Sequence, residues 1–167
     1  MSTTARAVAL TCLERIDHDG AYANLVLAPL LEREPSLIVI ANRTVDKAAA
    51  LARDFADCGA CRAAAYGNLG MYRFDAVINA TSASLAGELP PIDPCLIIPG
   101  QTVCYDMMYG KPAARFMNHA RSLGAAHAVD GLGMLVEQAA ASFELWRGVR
   151  PDTGPVLAQL RRDLAAQ

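Results

Sequence analysis

A cationic, hydrogen-bonding tip follows the apolar run of residues 37–41. It consists of Asn42, Arg43 and Thr44, with Lys47 three residues further on. A guanidinium offers paired N–H donors to a phosphate, and a lysine adds a point charge. An NAD site usually carries Asp or Glu here, to accept from the ribose 2′-hydroxyl. The cations therefore favour a 2′-phosphate, and NADP over NAD. The alternative interpretation is an ordinary helix cap followed by solvated cations.

Two further apolar runs also end in polar residues. Residues 79–82 include Asn79 and Thr81, which offer amide, hydroxyl and backbone groups to a ribose or a nicotinamide amide. Turn formation by the same residue types is the alternative. Residues 106–109 begin with Asp106 and end with Tyr109. Because ligands of parallel sheets bind beyond the carboxyl ends of the strands, we expect these tips to converge on one edge.

A glycine-containing segment opens the last apolar helix pattern. Gly131 and Gly133 allow a ligand to approach the backbone closely. Gln138 lies one to two turns into that helix and can hydrogen-bond a polyol or a carboxylate. A flexible helix start carrying a surface glutamine is the alternative.

The elements that position these tips alternate between strand and helix patterns. Strands are predicted at 37–41, 60–65, 74–79, 102–106 and 126–129, and helices at 1–20, 21–34, 45–56, 112–123, 131–147 and 151–166. This alternation predicts an α/β, Rossmann-like fold with a mainly parallel sheet and flanking helices.

Composition narrows the function classes. The 167 residues are 53% hydrophobic and carry 15 Lys and Arg against 17 Asp and Glu. Near-neutral charge argues against a nucleic-acid partner, which normally needs a basic face, and no apolar run reaches membrane-spanning length. Five scattered cysteines without an export signal indicate a reduced, cytoplasmic protein. The high apolar fraction favours a homo-oligomer.

Four stretches resemble the C-terminal, NADP-binding domain of shikimate dehydrogenase. They read "ANRTVDKA", "INATSAS", "CYDMMY" and "DGLGMLVEQAAASFELWRGVRPDTGPVLAQL", and their order and spacing match over about residues 25–164. The resemblance implies cofactor contacts by the Asn-Arg-Thr tip, its following lysine, the Asn-Ala-Thr-Ser turn and the Gly-x-Gly-Met-Leu segment. It also implies substrate contacts by a tyrosine and a glutamine. The implied cofactor residues are Asn42, Arg43, Thr44, Lys47, Asn79, Thr81, Met107, Gly131, Met134 and Leu135, and the implied shikimate residues are Tyr109 and Gln138.

Two departures from that family are expected to matter. The family's separate substrate domain supplies a catalytic Lys and Asp pair, for which 167 residues leave no room. The family's first strand and its glycine-rich turn are replaced by "ARAVALTCLERIDHDGAYANLVL", where Asp17 and Asp19 would repel a pyrophosphate. We therefore expect weak or lost NADP binding and no catalytic turnover. A recombined or designed chimera without biochemical activity is the alternative.

The replacing segment has its own resemblance. Residues 1–27 resemble the start of the helical RNA-binding domain of antitermination factors and ribosomal-RNA cytosine methyltransferases, which leaves an RNA-binding module as a further alternative. The chain is thus interpreted as a grafted helical segment, 1–24, joined to a Rossmann-like domain, 25–167, that lacks its first strand.

The gap left by a missing central strand must be filled, because unpaired buried backbone groups are costly. Residues 6–11 can form a strand there with 12–20 as a loop, the flanking strands can pair directly, or a second copy can supply the edge in a swapped dimer. Helical periodicity in residues 1–20 favours a helix over the first of these.

Overall fold

Six parallel strands form one sheet in the computed structural model, which describes residues 7–11, 27, 30–91 and 93–166. The strands are β1 (Ala7–Thr11), β2 (Leu37–Ala41), β3 (Cys61–Ala64), β4 (Ala76–Asn79), β5 (Val103–Asp106) and β6 (His127–Asp130). Their order across the sheet is β3-β2-β1-β4-β5-β6. This is the doubly wound order of dinucleotide-binding domains, so the predicted Rossmann-like fold class is confirmed.

Helices connect these strands and cover both faces of the sheet. They are α1 (Val45–Asp54), α2 (Lys111–Ser122), α3 (Leu132–Arg147) and α4 (Gly154–Ala165), with 3-10 segments at Tyr66–Met71, Ser82–Ala86 and Pro94–Leu96. Residues 27, 30 and 31 are helical too, as predicted for 21–34. Within the described residues, no helix is both long and apolar enough to cross a membrane.

The helix predicted over residues 1–20 is wrong for Ala7–Thr11, which form β1 in the centre of the sheet. Strand β1 pairs in parallel with β2 on one side and with β4 on the other. The first of the three ways of completing the sheet is therefore the one observed, and β2 and β4 do not pair directly. The rest of residues 1–20 lie outside the described residues.

Tertiary contacts explain why this segment forms a strand and not a helix. An unfilled slot would leave the facing edges of β2 and β4 with unpaired N–H and C=O groups, whereas a helix there would satisfy only itself. Local helical periodicity is a weak preference, and pairing along two strands overrides it. Because one chain supplies the strand, no swapped copy is needed to pair these edges.

The sheet is packed on both faces because its strands alternate between two apolar clusters. On β2, Ile38 and Ile40 join one cluster, whereas Val39 joins the other. Leu51 of α1 covers the first face and Phe116 of α2 covers the second. This explains the uninterrupted apolar run of β2, which is typical of parallel strands buried on both sides.

Candidate cofactor-binding site

The carboxyl ends of five strands lie side by side at one edge of the sheet. In the strand register, Thr11 is opposite Ala41 on one side and Asn79 on the other. Asn79 is in turn opposite Asp106, and Asp106 is opposite Asp130. The predicted convergence of polar strand ends is therefore observed, and these ends form the floor of the candidate site.

The polar tip that follows β2 has one buried residue and several exposed ones. Asn42 is buried, and its Oδ1 accepts a hydrogen bond of 2.8 Å from the backbone N–H of Thr44. Arg43, Thr44 and Lys47 are exposed at the start of α1. Thr44 occupies the N-cap position, but its side chain does not cap the helix. The helix-cap interpretation therefore holds for neither side chain, since Asn42 shapes the turn and Thr44 faces outward.

The turn that follows β4 uses its polar side chains internally. The Oδ1 of Asn79 accepts from the N–H of Thr81 at 3.1 Å and from its hydroxyl at 2.8 Å. The Thr81 hydroxyl oxygen accepts from the N–H of Ala83 at 3.2 Å. Both side chains are buried. The turn-forming alternative therefore accounts for these side chains, and a ligand beside this turn would meet backbone groups and half-buried Ser82.

A buried carboxylate holds the turn after β4 to the end of β5. Asp106 is fully buried, and its Oδ2 accepts from the Ser84 hydroxyl at 2.6 Å and from Asn79 Nδ2 at 3.0 Å. Its Oδ1 accepts from the N–H of Met108 at 2.8 Å. Burial raises the pKa of Asp106, and the hydrogen bonds from Ser84, Met108 and Asn79 partly oppose this rise. This network fixes two neighbouring loops at the sheet edge.

A second buried carboxylate ties the end of β6 to the C-terminal helix. Arg161 of α4 forms a bidentate ion pair with Asp130, with Nη2 at 2.6 Å from Oδ1 and Nη1 at 2.7 Å from Oδ2. Asp130 also accepts from the N–H groups of Gly110 and Leu132, both at 3.3 Å. Burial would raise the pKa of Asp130, but these hydrogen bonds, with Arg161 foremost, outweigh it and leave the pKa lowered. The carboxylate thus orients the loop that begins α3.

The two glycines at the start of α3 differ in their surroundings. Gly131 is buried, and its N–H donates to the carbonyl of Met108 at 2.9 Å. A Cβ placed on Gly131 would lie 2.1 Å from the carbonyl oxygen of Met107. A Cβ on Gly133 would meet nothing within 4 Å. Close packing alone therefore requires glycine at 131, while Gly133 is the position with open space for a ligand.

The remaining predicted residues lie in the loop after β5 and on α3. Met107, Met134 and Leu135 are half-buried, at the end of β5 and in the first turns of α3. Tyr109 is 37% exposed after β5, and Gln138 is exposed on α3. Met107 and Tyr109 belong to the loop that contacts Gly131, and Met134, Leu135 and Gln138 belong to the helix that begins there.

Sequence reasoning placed Asp106 among the converging polar strand ends without giving it a role, and it missed Ser84, Asp130 and Arg161 as site-forming residues. A signal existed for the two aspartates, because Asp106 ends a predicted strand and Asp130 directly follows another. Ser84 and Arg161 carry no such local signal, since their partners are 22 and 31 residues away in the sequence. The segment in which the family's glycine-rich turn is expected lies outside the described residues.

Comparison with known families gives two matches. The family described as shikimate / quinate 5-dehydrogenase matches residues 19–86, and the shikimate 5'-dehydrogenase C-terminal domain matches residues 131–161. The first match begins inside the segment interpreted as grafted, 1–24. Similarity to these enzymes thus starts earlier in the chain than the sequence predicted.

Curated relatives agree with the family matches. Shikimate dehydrogenase (NADP(+)) of Nitrosospira multiformis is 54% identical over 147 residues, which cover 88% of this chain and 53% of the relative. The enzyme of Hahella chejuensis, with the same name, is 57% identical over 143 residues, covering 86% of this chain and 52% of the relative. This chain is similar to one half of a shikimate dehydrogenase. It spans about half the length of the curated relatives it matches.

Superposition on solved structures shows that the fold of this chain is also similar to that of known enzymes. An Ael1 enzyme from Pseudomonas putida superposes with a TM-score of 0.77 at 44% identity, covering 93% of this chain and 54% of that protein. Shikimate 5-dehydrogenase from Thermus thermophilus, solved in complex with shikimate, gives a TM-score of 0.70 at 28% identity, with coverages of 95% and 54%. The predicted resemblance to the shikimate dehydrogenases is confirmed, whereas the resemblance of residues 1–27 to RNA-binding domains remains a prediction.

Proposed function

We propose that this chain is the NADP-binding part of a shikimate-dehydrogenase-type oxidoreductase, and that it selects NADP over NAD. The observation that carries the proposal is the exposed tip of Arg43, Thr44 and Lys47 beyond β2, beside the central strand of a doubly wound sheet. The relatives named as NADP(+)-dependent enzymes support it.

The tip suits a phosphate monoester for three reasons. Arg43 and Lys47 supply positive charge, and the Thr44 hydroxyl is not occupied in capping its helix. The start of α1 adds the partial positive charge of a helix N-terminus. Asn42 is buried below and holds the backbone of Thr44, so the turn is formed before a ligand arrives. Residues 42–45 carry no carboxylate to accept from an unphosphorylated ribose, and Asp46 is the single acidic residue in the first turn of α1.

The remaining parts of the edge would hold the rest of the cofactor. The turn after β4 presents backbone groups, because its Asn79 and Thr81 side chains are engaged internally. Met134 and Leu135 offer apolar surface beside the open space at Gly133. NADP supplies the hydride-transfer chemistry when bound. Tyr109 and Gln138 would face shikimate at the same side of the edge.

We further propose that these 167 residues alone bind NADP weakly and do not turn over shikimate. The sequence before residue 25 lacks the family's glycine-rich turn and carries Asp17 and Asp19 instead. Carboxylates near a pyrophosphate oppose binding. The proton-handling Lys and Asp pair of the family belongs to the half that this chain does not span.

Isothermal titration with NADPH and NADH tests the proposal. We expect saturable NADPH binding that exceeds NADH binding, and Arg43→Ala should weaken NADPH binding about tenfold to a hundredfold, the usual effect of losing a hydrogen bond between charged groups. NADH binding should not change. Arg53→Ala is the matched control, since Arg53 is an exposed arginine in the last turn of the same helix.

Two results would contradict the proposal. Equal affinities for NADPH and NADH would remove the 2′-phosphate role of the tip, and so would an Arg43→Ala variant that behaves like Arg53→Ala. No binding of either nucleotide would favour the alternative of a folded chain without biochemical activity.

A further inference from the structure

Helix α4 contacts a buried carboxylate although the helix itself lies at the surface. None of its residues, all of which the structure describes, is buried. The side chain of Arg161 is 46% exposed, whereas that of Asp130, to which it is paired, is only 3% exposed. A cation matters more to a buried carboxylate than to an exposed one, because an unpaired buried charge is costly. Arg161 thus connects the outermost helix to the interior of the sheet edge.

The Asp130 carboxylate joins three segments of the chain. Each of its oxygens accepts from one guanidinium nitrogen of Arg161, which belongs to α4. Oδ1 also accepts from the N–H of Leu132, at the start of α3. Oδ2 also accepts from the N–H of Gly110, in the loop after β5. One side chain therefore sets the position of two backbone segments relative to the C-terminal helix.

The two backbone hydrogen bonds to Asp130 depend on its pairing with Arg161. Both N–H groups lie 3.3 Å from the carboxylate, which is longer than the usual length of about 3 Å. The guanidinium nitrogens lie at 2.6 Å and 2.7 Å, as in short charge-assisted bonds. Burial favours the neutral form of Asp130, but its hydrogen bonds, with Arg161 foremost, outweigh burial and lower its pKa. Without Arg161 the carboxyl would hold both amides less firmly, because a protonated oxygen is a poorer acceptor.

An apolar contact supports the same connection. Leu164 lies three residues beyond Arg161, on the same face of α4, and is half-buried. A Cβ placed on Gly110 would lie 3.3 Å from Cδ2 of Leu164, so the leucine packs closely over this glycine. Gly110 also has φ of +67°, a conformation that favours glycine. The loop after β5 is therefore held by α4 in two ways, through the carboxylate of Asp130 and through this packing.

The two amides that Asp130 binds adjoin residues with a role in the proposed function. Gly110 directly follows Tyr109, and Leu132 directly precedes Gly133. Under the proposed function, Tyr109 faces shikimate, and the start of α3 lies beside the nicotinamide. A change at Asp130 would therefore shift the segments that contact the nicotinamide and the substrate.

The phosphate-binding tip lies at a different part of the sheet edge. It follows β2, and β1, β4 and β5 separate β2 from β6, which ends in Asp130. At the usual strand spacing this separation is about 19 Å. A change at Asp130 should therefore leave the contacts of Arg43 with a 2′-phosphate intact.

We propose that Arg161 is a positioning residue for the nicotinamide end of the bound cofactor. Acting through Asp130, it holds the loop after β5 and the start of α3 in the arrangement that the nicotinamide requires. It acts on these segments and not on the cofactor itself. The inference rests on the proposed function, since it takes NADP to bind along this sheet edge, and it adds a role for the C-terminal helix in that binding.

Two ligands distinguish the two ends of the site. NADPH spans both ends, whereas adenosine 2′,5′-bisphosphate carries the 2′-phosphate but no nicotinamide. Isothermal titration of the full chain measures both affinities. Arg161→Met should weaken NADPH binding about tenfold, the smaller effect seen when the outer partner of a metal-binding group is removed. The affinity for the bisphosphate should not change, which a general loss of structure would not produce.

Matched variants test whether Arg161 acts through Asp130. Arg162→Met removes the same charge one residue later, where the guanidinium binds Gln159 of the same helix at 2.6 Å, and it should change neither affinity. Arg161→Lys keeps the charge but loses the bidentate geometry, so its NADPH affinity should lie between those of the parent and Arg161→Met. When Asp130→Asn is already present, adding Arg161→Met should cost less than about twofold, since the two residues act as one unit.

Hydrogen exchange measures the positioning without any nucleotide. The amides of Gly110 and Leu132 should exchange faster in Arg161→Met than in the parent, because their acceptor is held less firmly. In Arg162→Met they should exchange as in the parent. Nuclear magnetic resonance resolves the two amides individually.

Three results would overturn the inference while leaving the proposed function in place. One is an Arg161→Met variant with the NADPH affinity of Arg162→Met. Another is an equal loss of affinity for NADPH and the bisphosphate. The third is unchanged exchange at both amides. If the parent binds neither ligand, the proposed function fails and the inference fails with it, so the two failures are distinguishable.

Discussion

Replacing Gly131 with alanine should destabilise the fold strongly, because the new methyl group would collide with backbone. The Cβ would lie 2.1 Å from the carbonyl oxygen of Met107 and 2.7 Å from its carbonyl carbon. Both atoms belong to the loop that follows β5, which cannot rotate away as a side chain can. The N–H of Gly131 is also bonded to Met108 in the same loop, at 2.9 Å.

The magnitude follows from how far the backbone must move. Carbon and oxygen atoms that are not bonded rarely approach closer than about 3 Å, so the loop and the start of α3 must separate by about 1 Å. Overpacking of this kind costs about 1–3 kcal/mol and sometimes more. We expect about 3 kcal/mol, because the displaced atoms are backbone. Such a loss is a large share of a total stability of about 5–15 kcal/mol.

Gly133→Ala is the matched control in the same segment. No atom lies within 4 Å of the position where its Cβ would stand. Alanine in place of glycine stabilises a helix interior by up to about 1 kcal/mol, and by less in the first turn, where Gly133 lies. The stability of this variant should therefore stay level or rise slightly. If a nicotinamide approaches the open space, NADPH affinity should nevertheless fall.

Urea unfolding followed by circular dichroism measures both variants, and NADPH titration of the folded proteins separates packing from binding. A Gly131→Ala variant within about 0.5 kcal/mol of the parent would show that the contact with Met107 does not constrain this position. A Gly133→Ala variant that keeps both stability and NADPH affinity would place the nicotinamide elsewhere.

Two further predictions concern the buried carboxylates. Ser84→Ala removes the 2.6 Å hydrogen bond to Asp106 and should cost about 1.5–3 kcal/mol in urea unfolding, whereas Ser122→Ala, an exposed control, should stay within about 0.5 kcal/mol. The pKa of Asp130 is lower in the folded protein than in the unfolded chain, where it is about 3.9. Its pairing with Arg161 therefore stabilises the protein above that pH, and this stabilisation is lost as the pH falls through the folded pKa. The stability advantage of the parent over Asp130→Asn should therefore stay level above about pH 5 and shrink as the pH falls below that value; a constant or growing advantage there would refute the lowered pKa.

Strand β2 was predictable to the residue from local chemistry. A continuous apolar run is bounded by Pro35 before Leu37 and by Asn42 after Ala41, and the observed strand has those limits. Such a run is long enough for a strand, too short for a helix, and apolar on both faces. The local signal and the tertiary environment agree there, so the prediction is confirmed.

Strand β1 shows where local reasoning fails. Ala7–Thr11 belong to a segment with helical periodicity, yet they form the central strand. The decisive information is the existence of two open strand edges, which belong to segments 26 or more residues away and cannot be read from residues 1–20. The possibility could be stated from the expected strand order, but local periodicity ranked it wrongly.

For the candidate site, the sequence predicted the strands and helices that form it, but it did not predict correctly which polar side chains face outward. Arg43 and Lys47 are exposed, as a ligand-binding role requires. Asn79 and Thr81 instead point into the turn that they build. Whether a polar residue at a strand end faces a ligand or its own turn depends on partners such as Ser84, which become neighbours only when the sheet forms.

The first strand and the turn that follows it make different demands on the sequence. A central parallel strand contributes to the sheet through its backbone, because β1 is paired along both edges with β2 and β4. Any sequence that accepts an extended conformation and buries both faces can fill that place. The turn after the strand is more demanding, since its glycines let backbone amides approach a pyrophosphate. Completing the strand order and binding a pyrophosphate are therefore separate demands on the sequence, and the weak NADP binding that we propose for these 167 residues is compatible with a stable sheet.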